Sequence, residues 1–195
     1  MIRSQRAGLS TDAVVDAALG IVDEQGLDAL TLAAVASRTG VAPPSLYKHI
    51  GGLGDLRTLV RGRVLAEMTE RFAAAVIGRS GDDAVTSLLR AHREYVRCHP
   101  ARYAAMSPDP LHDPALAAAG RRQLDVVFAV LRGYGLEGSA AVHAARCLRS
   151  IAHGFASIEA SGGFGMAEDV NETYEQLIHM FLATLPRSID RSVDR

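Results

Sequence analysis

Residues 30–50 read Leu30-Thr31-Leu32-Ala33-Ala34-Val35-Ala36-Ser37-Arg38-Thr39-Gly40-Val41-Ala42-Pro43-Pro44-Ser45-Leu46-Tyr47-Lys48-His49-Ile50. Thr31 can cap a short helix with Leu32, Val35 and Ala36 facing inward, and Gly40 stops it. A second short helix over 41–50 opens near Pro43 and Pro44, where the missing N–H groups are tolerated. Val35, Ala36, Val41 and Leu46 can close a miniature core between the two. This is the helix-turn-helix arrangement, whose second helix lies in the major groove of DNA. The exposed face of that helix offers Ser45, Tyr47, Lys48 and His49, and Lys48 is the only lysine in the chain. By spacing alone, an ordinary αα-hairpin with a polar outer face is the alternative reading.

The pattern on either side is helical. Ser10 can cap a first helix with Asp12 near its positive end, and Val15, Ala18, Leu19 and Val22 form its stripe until Gly26 ends it. After Gly51-Gly52 a long helix is expected over 53–76, then one over 83–99 stopped by Pro100, and a short one over 101–106. Asp113-Pro114 predicts the start of a helix reaching Tyr134, and Ser139 predicts the cap of one reaching about Ala160. The loop Gly162-Gly163-Phe164-Gly165 leads to a last helix over 169–185, ended by Pro186. The expected division is a head over 1–52 and a body over 53–195, joined through the long helix 53–77.

Composition agrees with an all-α fold. Hydrophobic residues make up 48% of the 195, Ala and Leu dominate them, and there is no Trp. The net charge of −1 confines any basic surface to a local patch. Cys98 and Cys147 lie far apart without metal-type spacing, which suggests reduced cysteines in a cytoplasmic protein. No apolar core follows Arg3 and Arg6, and no apolar run approaches membrane-spanning length, so neither a signal peptide nor a membrane partner is expected.

Across the first 60 residues the sequence resembles the DNA-binding domain of the tetracycline-repressor (TetR) family. The matching elements are Ala17-Ala18-Leu19, Gly26-Leu27, Leu30-Thr31, Val35-Ala36, Gly40-Val41, and Ser45-Leu46-Tyr47 followed by His49. The resemblance implies nine helices, three in the head, a connecting fourth and five for ligand binding and dimerisation; the independent helix count agrees. It further implies that Thr31 caps the second helix and touches a phosphate, and that Pro43, Pro44 and Ser45 approach base edges. By the same resemblance, Tyr47, Lys48 and His49 are expected to contact the backbone and nearby bases. The chain departs from the family at Leu53, where a Lys usually opens helix four, at Ile50, usually aromatic, and at Ala42, often a capping Ser. A weaker phosphate grip follows unless Arg57, one turn on, supplies the charge. In the body, Ala152-His153-Gly154 resembles the motif of a Trp-His-Gly subgroup, with Ala152 in place of the Trp.

The body suggests two further sites. Leu148, Ile151, Phe155, Ile158, Tyr174, Leu177, Ile178 and Phe181 supply more apolar stripe than a monomer core needs, and Gly154 permits close helix approach, so the last two long helices are expected to form a homodimer. His92, Tyr95, Tyr103, Phe128, Leu131 and His153 mix apolar walls with polar tips, as a small-molecule pocket requires, although each can equally pack a solid core. His143 and Cys147 sit i, i+4 on one helix, but too few ligands converge for zinc, and no metal or cofactor is expected. Gly51-Gly52-Leu53-Gly54 lacks the ending of a phosphate loop and no nucleophile motif occurs, so an enzyme is not expected. Glu159 is expected to pair with Arg146 or Arg149. The function that follows is a ligand-responsive repressor on a palindromic operator; the alternative is a helical protein–protein adaptor with a degenerate helix-turn-helix.

Overall fold

The structure, a computed structural model, describes residues 9–106 and 109–186. Among these residues it is all-helical: α1 Thr11–Gln25, α2 Leu32–Thr39, α3 Pro43–Leu46, α4 Leu53–Val76, α5 Gly81–Cys98, α6 Pro100–Ala104, α7 Ala117–Arg132, α8 Gly138–Ala160 and α9 Val170–Leu182, with a 3-10 turn at Leu27–Ala29. The chain forms two compact units, one of Met1–Leu65 with Ala101–Ala117, the other of Ala66–Pro100 with Ala118–Arg195.

The first unit is built on α1. Ser10 caps it by accepting from the Ala13 N–H, and Val14, Ala18 and Val22 are wholly enclosed. α2 packs on α1 with Val35 and Ala36 buried, and Thr31 caps it by accepting from the Ala34 N–H at 3.1 Å. Gly40 ends α2 at φ 68°, ψ 28°, a left-handed conformation in which a side chain is strained. Buried Leu46, Ile50, Leu56, Val60 and Val64 complete this core. Residues 101–117 join the same unit: the Arg61 guanidinium donates to the Ala105 carbonyl at 3.1 Å, and Gly62 lies against Leu116.

In the second unit α5 packs against α8 and α9, burying Val85, Leu88, Leu89 and Val96. The Tyr174 hydroxyl donates to the Leu89 carbonyl at 2.6 Å in the buried interior. Arg93 is the buried charged residue of this core. Its guanidinium forms two bonds to Glu159, at 2.8 and 2.6 Å, a third to Asn171 at 3.0 Å, and lies over the Phe155 and Tyr174 rings. The expected partners of Glu159, Arg146 and Arg149, are thereby corrected to Arg93. Both arginines stand on the exposed side of α8, whereas Glu159 turns inward.

Several boundaries differ from the sequence reading. The helix expected over 41–50 is one turn, Pro43–Leu46, after which Lys48 donates to the Ser45 carbonyl and Ile50 to that of Leu46. Ala42 gives it no side-chain cap and two prolines open it, so little holds a longer helix. α7 begins at Ala117 rather than Asp113-Pro114, because the Asp113 carboxylate accepts from the Ala115 N–H and folds the chain into a local turn. Glu137, not Ser139, holds the cap position of α8. α9 stops at Leu182, where Thr184 hydrogen-bonds back to the Phe181 carbonyl.

Candidate nucleic-acid interface

The α2–turn–α3 hairpin is fixed from behind and open in front. Leu46 and Ile50 are buried, anchoring the 43–50 segment on the first unit's core. The rest of the segment is more open: Pro43, Pro44 and Lys48 are exposed, Tyr47 is 60% exposed, and Ser45 and His49 are half-buried. The His49 carbonyl accepts from the Thr11 hydroxyl at 3.2 Å, tying the end of this segment to the start of α1. Gly51 closes it by donating its N–H to the Asp55 carboxylate at 2.7 Å. Thr31, whose hydroxyl is occupied as a cap, is exposed at the entrance to α2. All seven residues expected at DNA therefore lie on the hairpin, five of them exposed.

Sequence reasoning missed the ion pairs around that hairpin. The Arg38 guanidinium, from α2, forms a fork with both oxygens of Glu24 on α1 and lies across Gly20. Hydrogen bonds from Arg38 hold the Glu24 carboxyl below the ordinary carboxylate range, against a smaller opposing desolvation. Arg63 reaches Asp16 at 2.8 Å and Asp12 at 2.6 Å, and Arg102 forks onto Asp23 at 2.8 and 2.6 Å. Arginines from α2, α4 and α6 thus engage four carboxylates of α1. Leu53 opens α4 half-buried, and Arg57 has its Nε enclosed without a hydrogen-bond partner. Spacing could not reveal these pairs, since three of the four carboxylates meet an arginine more than 40 residues away.

The residues expected to line a pocket are not gathered in one described depression. Tyr95 is buried and its hydroxyl donates to Glu67 at 3.0 Å, with Arg71 over the ring and His99 beside it. His92 packs on Phe72, and desolvation, with a smaller effect of His153, drives its pKa down to about 4. Leu131 is buried and His153 is exposed. Phe128 lines a surface depression of about 430 Å³ with Arg132, Leu136 and Val142; Tyr103 belongs to the other compact unit.

Of the residues expected at a dimer contact, Tyr174 and Ile178 are enclosed by their own chain, and Leu148, Phe155 and Phe181 are nearly so. Ile158 is 45% exposed and Ile151, Gly154 and Leu177 are half-buried. Met180, which sequence reasoning did not name, is 68% exposed on α9. A Cβ added to Gly154 would meet open space, so no helix of its own chain closes on it.

Comparison with known proteins places this geometry. The family model for bacterial regulatory proteins of the tetR family matches residues 14–52, and the tetracyclin repressor-like C-terminal domain matches residues 85–181. An HTH-type transcriptional regulator of Mycobacterium tuberculosis is 41% identical over 158 residues, 80% of this chain and 72% of that one. Another, from Bacillus subtilis, is 35% identical over 184 residues, 93% of this chain and 95% of its own. The Streptomyces coelicolor TetR family protein ActR, solved in complex with (S)-DNPA, shares the fold at TM-score 0.67 and 22% identity, over 91% of this chain and 97% of that one. With the hairpin in place and relatives matched along most of its length, the chain belongs to the TetR family of DNA-binding transcriptional regulators.

Proposed function

We propose that the chain is a homodimeric repressor that holds a palindromic operator through Thr31, Pro43, Pro44, Ser45, Tyr47, Lys48 and His49, and releases it when a small molecule occupies the body. The observation that carries the reading is the hairpin: Leu46 and Ile50 lock it from behind while Tyr47 and Lys48 project outward. A recognition helix needs its own core and a polar front, and this segment has both. The head over 1–52 reads DNA and the body over 53–195 senses and dimerises. Two heads then face half-sites roughly 34–36 Å apart, one duplex turn.

Exposed Ile158 and Met180, with open space at Gly154, support an isologous contact through α8 and α9. ActR was solved in complex with (S)-DNPA, and a small-molecule ligand fits the role here too, with His92, Tyr95, Tyr103, Phe128, Leu131 and His153 as the residues to probe. The ligand shifts the DNA equilibrium only by its differential affinity for the two states. Ala152-His153-Gly154 supports a narrower placement near the Trp-His-Gly subgroup, with buried Ala152 where that subgroup carries its Trp. No helix among the described residues is long and apolar enough to cross a membrane, in keeping with a cytoplasmic regulator.

The adaptor reading is favoured by one observation, the excess of carboxylates over cations in residues 9–52. A footprint of the full chain on DNA upstream of its own gene and its neighbours decides between them. Protection of a palindrome, lost at high salt, supports the repressor; no protection at any salt refutes it.

A further inference from the structure

The depression of about 430 Å³ lies at the corner where α7 turns into α8, within the second compact unit. Phe128, Leu136, Ala141 and Val142 give it an apolar wall, and Arg132 and the first residues of α8 complete the lining. Phe128 and Arg132 are spaced i, i+4 on α7, so an aromatic ring and a guanidinium border the same space. Small-molecule sites of roughly 300–1,000 Å³ combine apolar walls with a few polar groups in this way.

The hydrogen-bonding capacity left over at the corner decides which charge it accepts. The last carbonyls of α7 are taken by the turn that follows: Val130 accepts from Gly133 at 3.1 Å, Leu131 from Tyr134 at 3.0 Å and Arg132 from Gly135 at 2.9 Å. Across the turn, Glu137 gives α8 no side-chain cap. The first turn, Gly138-Ser139-Ala140, holds no acidic residue to offset the positive end of this 23-residue helix. The Arg132 guanidinium is exposed and makes no hydrogen bond or ion pair among the described residues. Donors are therefore in excess, against one open acceptor, the exposed Glu137 carboxylate. The depression also stands clear of the contact proposed for α8 and α9. Val142 and Ile151 are about two and a half turns apart at 3.6 residues per turn, which places them on opposite sides of α8.

We infer that this corner binds an amphipathic carboxylate, its tail against Phe128, Leu136 and Val142 and its anionic head at Arg132 and the start of α8. The inference rests on the ligand-responsive reading above and gives it a place and a ligand class.

Decanoate, decanol and decylamine, each below its micelle-forming concentration, probe the site by calorimetry on the full chain. The parent is expected to bind decanoate saturably and more tightly than either of the other two. Arg132→Gln should weaken decanoate by about tenfold and leave decanol unchanged, since a charged hydrogen bond is lost from one ligand alone. Glu137→Gln should tighten decanoate by roughly threefold through lost repulsion. Val142→Trp, which fills the depression from an exposed position, should weaken decanoate and decanol together. No saturable binding by the parent overturns the site, as does an Arg132→Gln variant that binds decanoate as the parent does. Preference for decylamine, with binding weakened by Glu137→Gln, overturns the ligand class. Decanoate is then added to the duplex that the parent chain protects. Loss of protection supports the site as the regulatory one. Binding at the corner with protection unchanged leaves the site standing and refutes release by this ligand, so the two failures are told apart.

Discussion

Replacing Arg93 tests the idea that one buried charge fixes α5, α8 and α9 together. Its side chain is 10% exposed and that of Glu159 18%, and the guanidinium satisfies Glu159 and Asn171 while two aromatic rings cover it. Arg93→Met keeps the apolar stem but strands a largely buried carboxylate. Removing one partner of a buried pair costs about 3–5 kcal/mol, and the partial exposure of Glu159 places this case near 3. Glu159→Met is expected to cost a similar amount, because it leaves the guanidinium enclosed without its carboxylate. Arg93→Met/Glu159→Met removes both charges and leaves shapes that can pack, so its cost should fall well below the sum of the singles, with a coupling above roughly 1.5 kcal/mol. Urea unfolding at one fixed protein concentration measures the cycle, since the proposed dimer would make stability depend on concentration. Single costs that simply add, within about 0.5 kcal/mol, would refute the claim that the pair acts as a unit.

Three more outcomes are expected. Lys48→Ala should weaken operator and scrambled duplex alike and lower the salt slope by about 0.9 per half-site, whereas Ser45→Ala should shift preference by about 1–3 kcal/mol at one base pair; salt-titrated binding to both duplexes reads the difference. Ile158→Glu/Met180→Glu alters exposed positions, so it should leave the protomer folded by circular dichroism yet monomeric in sedimentation, and a dimer that persists places the interface elsewhere. His92, with its pKa lowered to about 4, stays neutral in the folded state where the unfolded chain takes up a proton, so its contribution is complete above about pH 6.5 and is lost as pH falls towards 4. The parent should lose up to about 3 kcal/mol more than His92→Leu over that window, and parallel stability curves for the two would rule this out.

The head was legible because its signals are local. Ser10 and Thr31 cap the helices they precede, and Gly26 and Gly40 take positive φ where the pattern asked for a stop. Long helices were equally plain, since α4 runs over Leu53–Val76, the range expected after Gly51-Gly52. Errors gathered where a side chain competes with the backbone. Asp113 looked like a helix start and instead turned its carboxylate onto the Ala115 N–H, delaying α7 to Ala117. Apolar stripes on α8 and α9 gave the right helices but not which face meets the protomer's own core. Tyr174 and Ile178 spend themselves on α5 and α8, while Met180 remains outside.

Charge was the least legible property, and it matters most for binding DNA. A count of cations treats Arg38, Arg63 and Arg102 as available, yet each is held by a carboxylate of α1. Those pairs are partly exposed, and their stabilising effect is small. Their consequence is electrostatic: they offset four carboxylates of α1 and take those arginines out of the supply of free cations. On the proposed reading, Ser45 and the prolines supply sequence preference and Lys48 the phosphate grip of the hairpin. The salt slope, more than affinity at one salt concentration, therefore separates recognition by the hairpin from general electrostatic attraction.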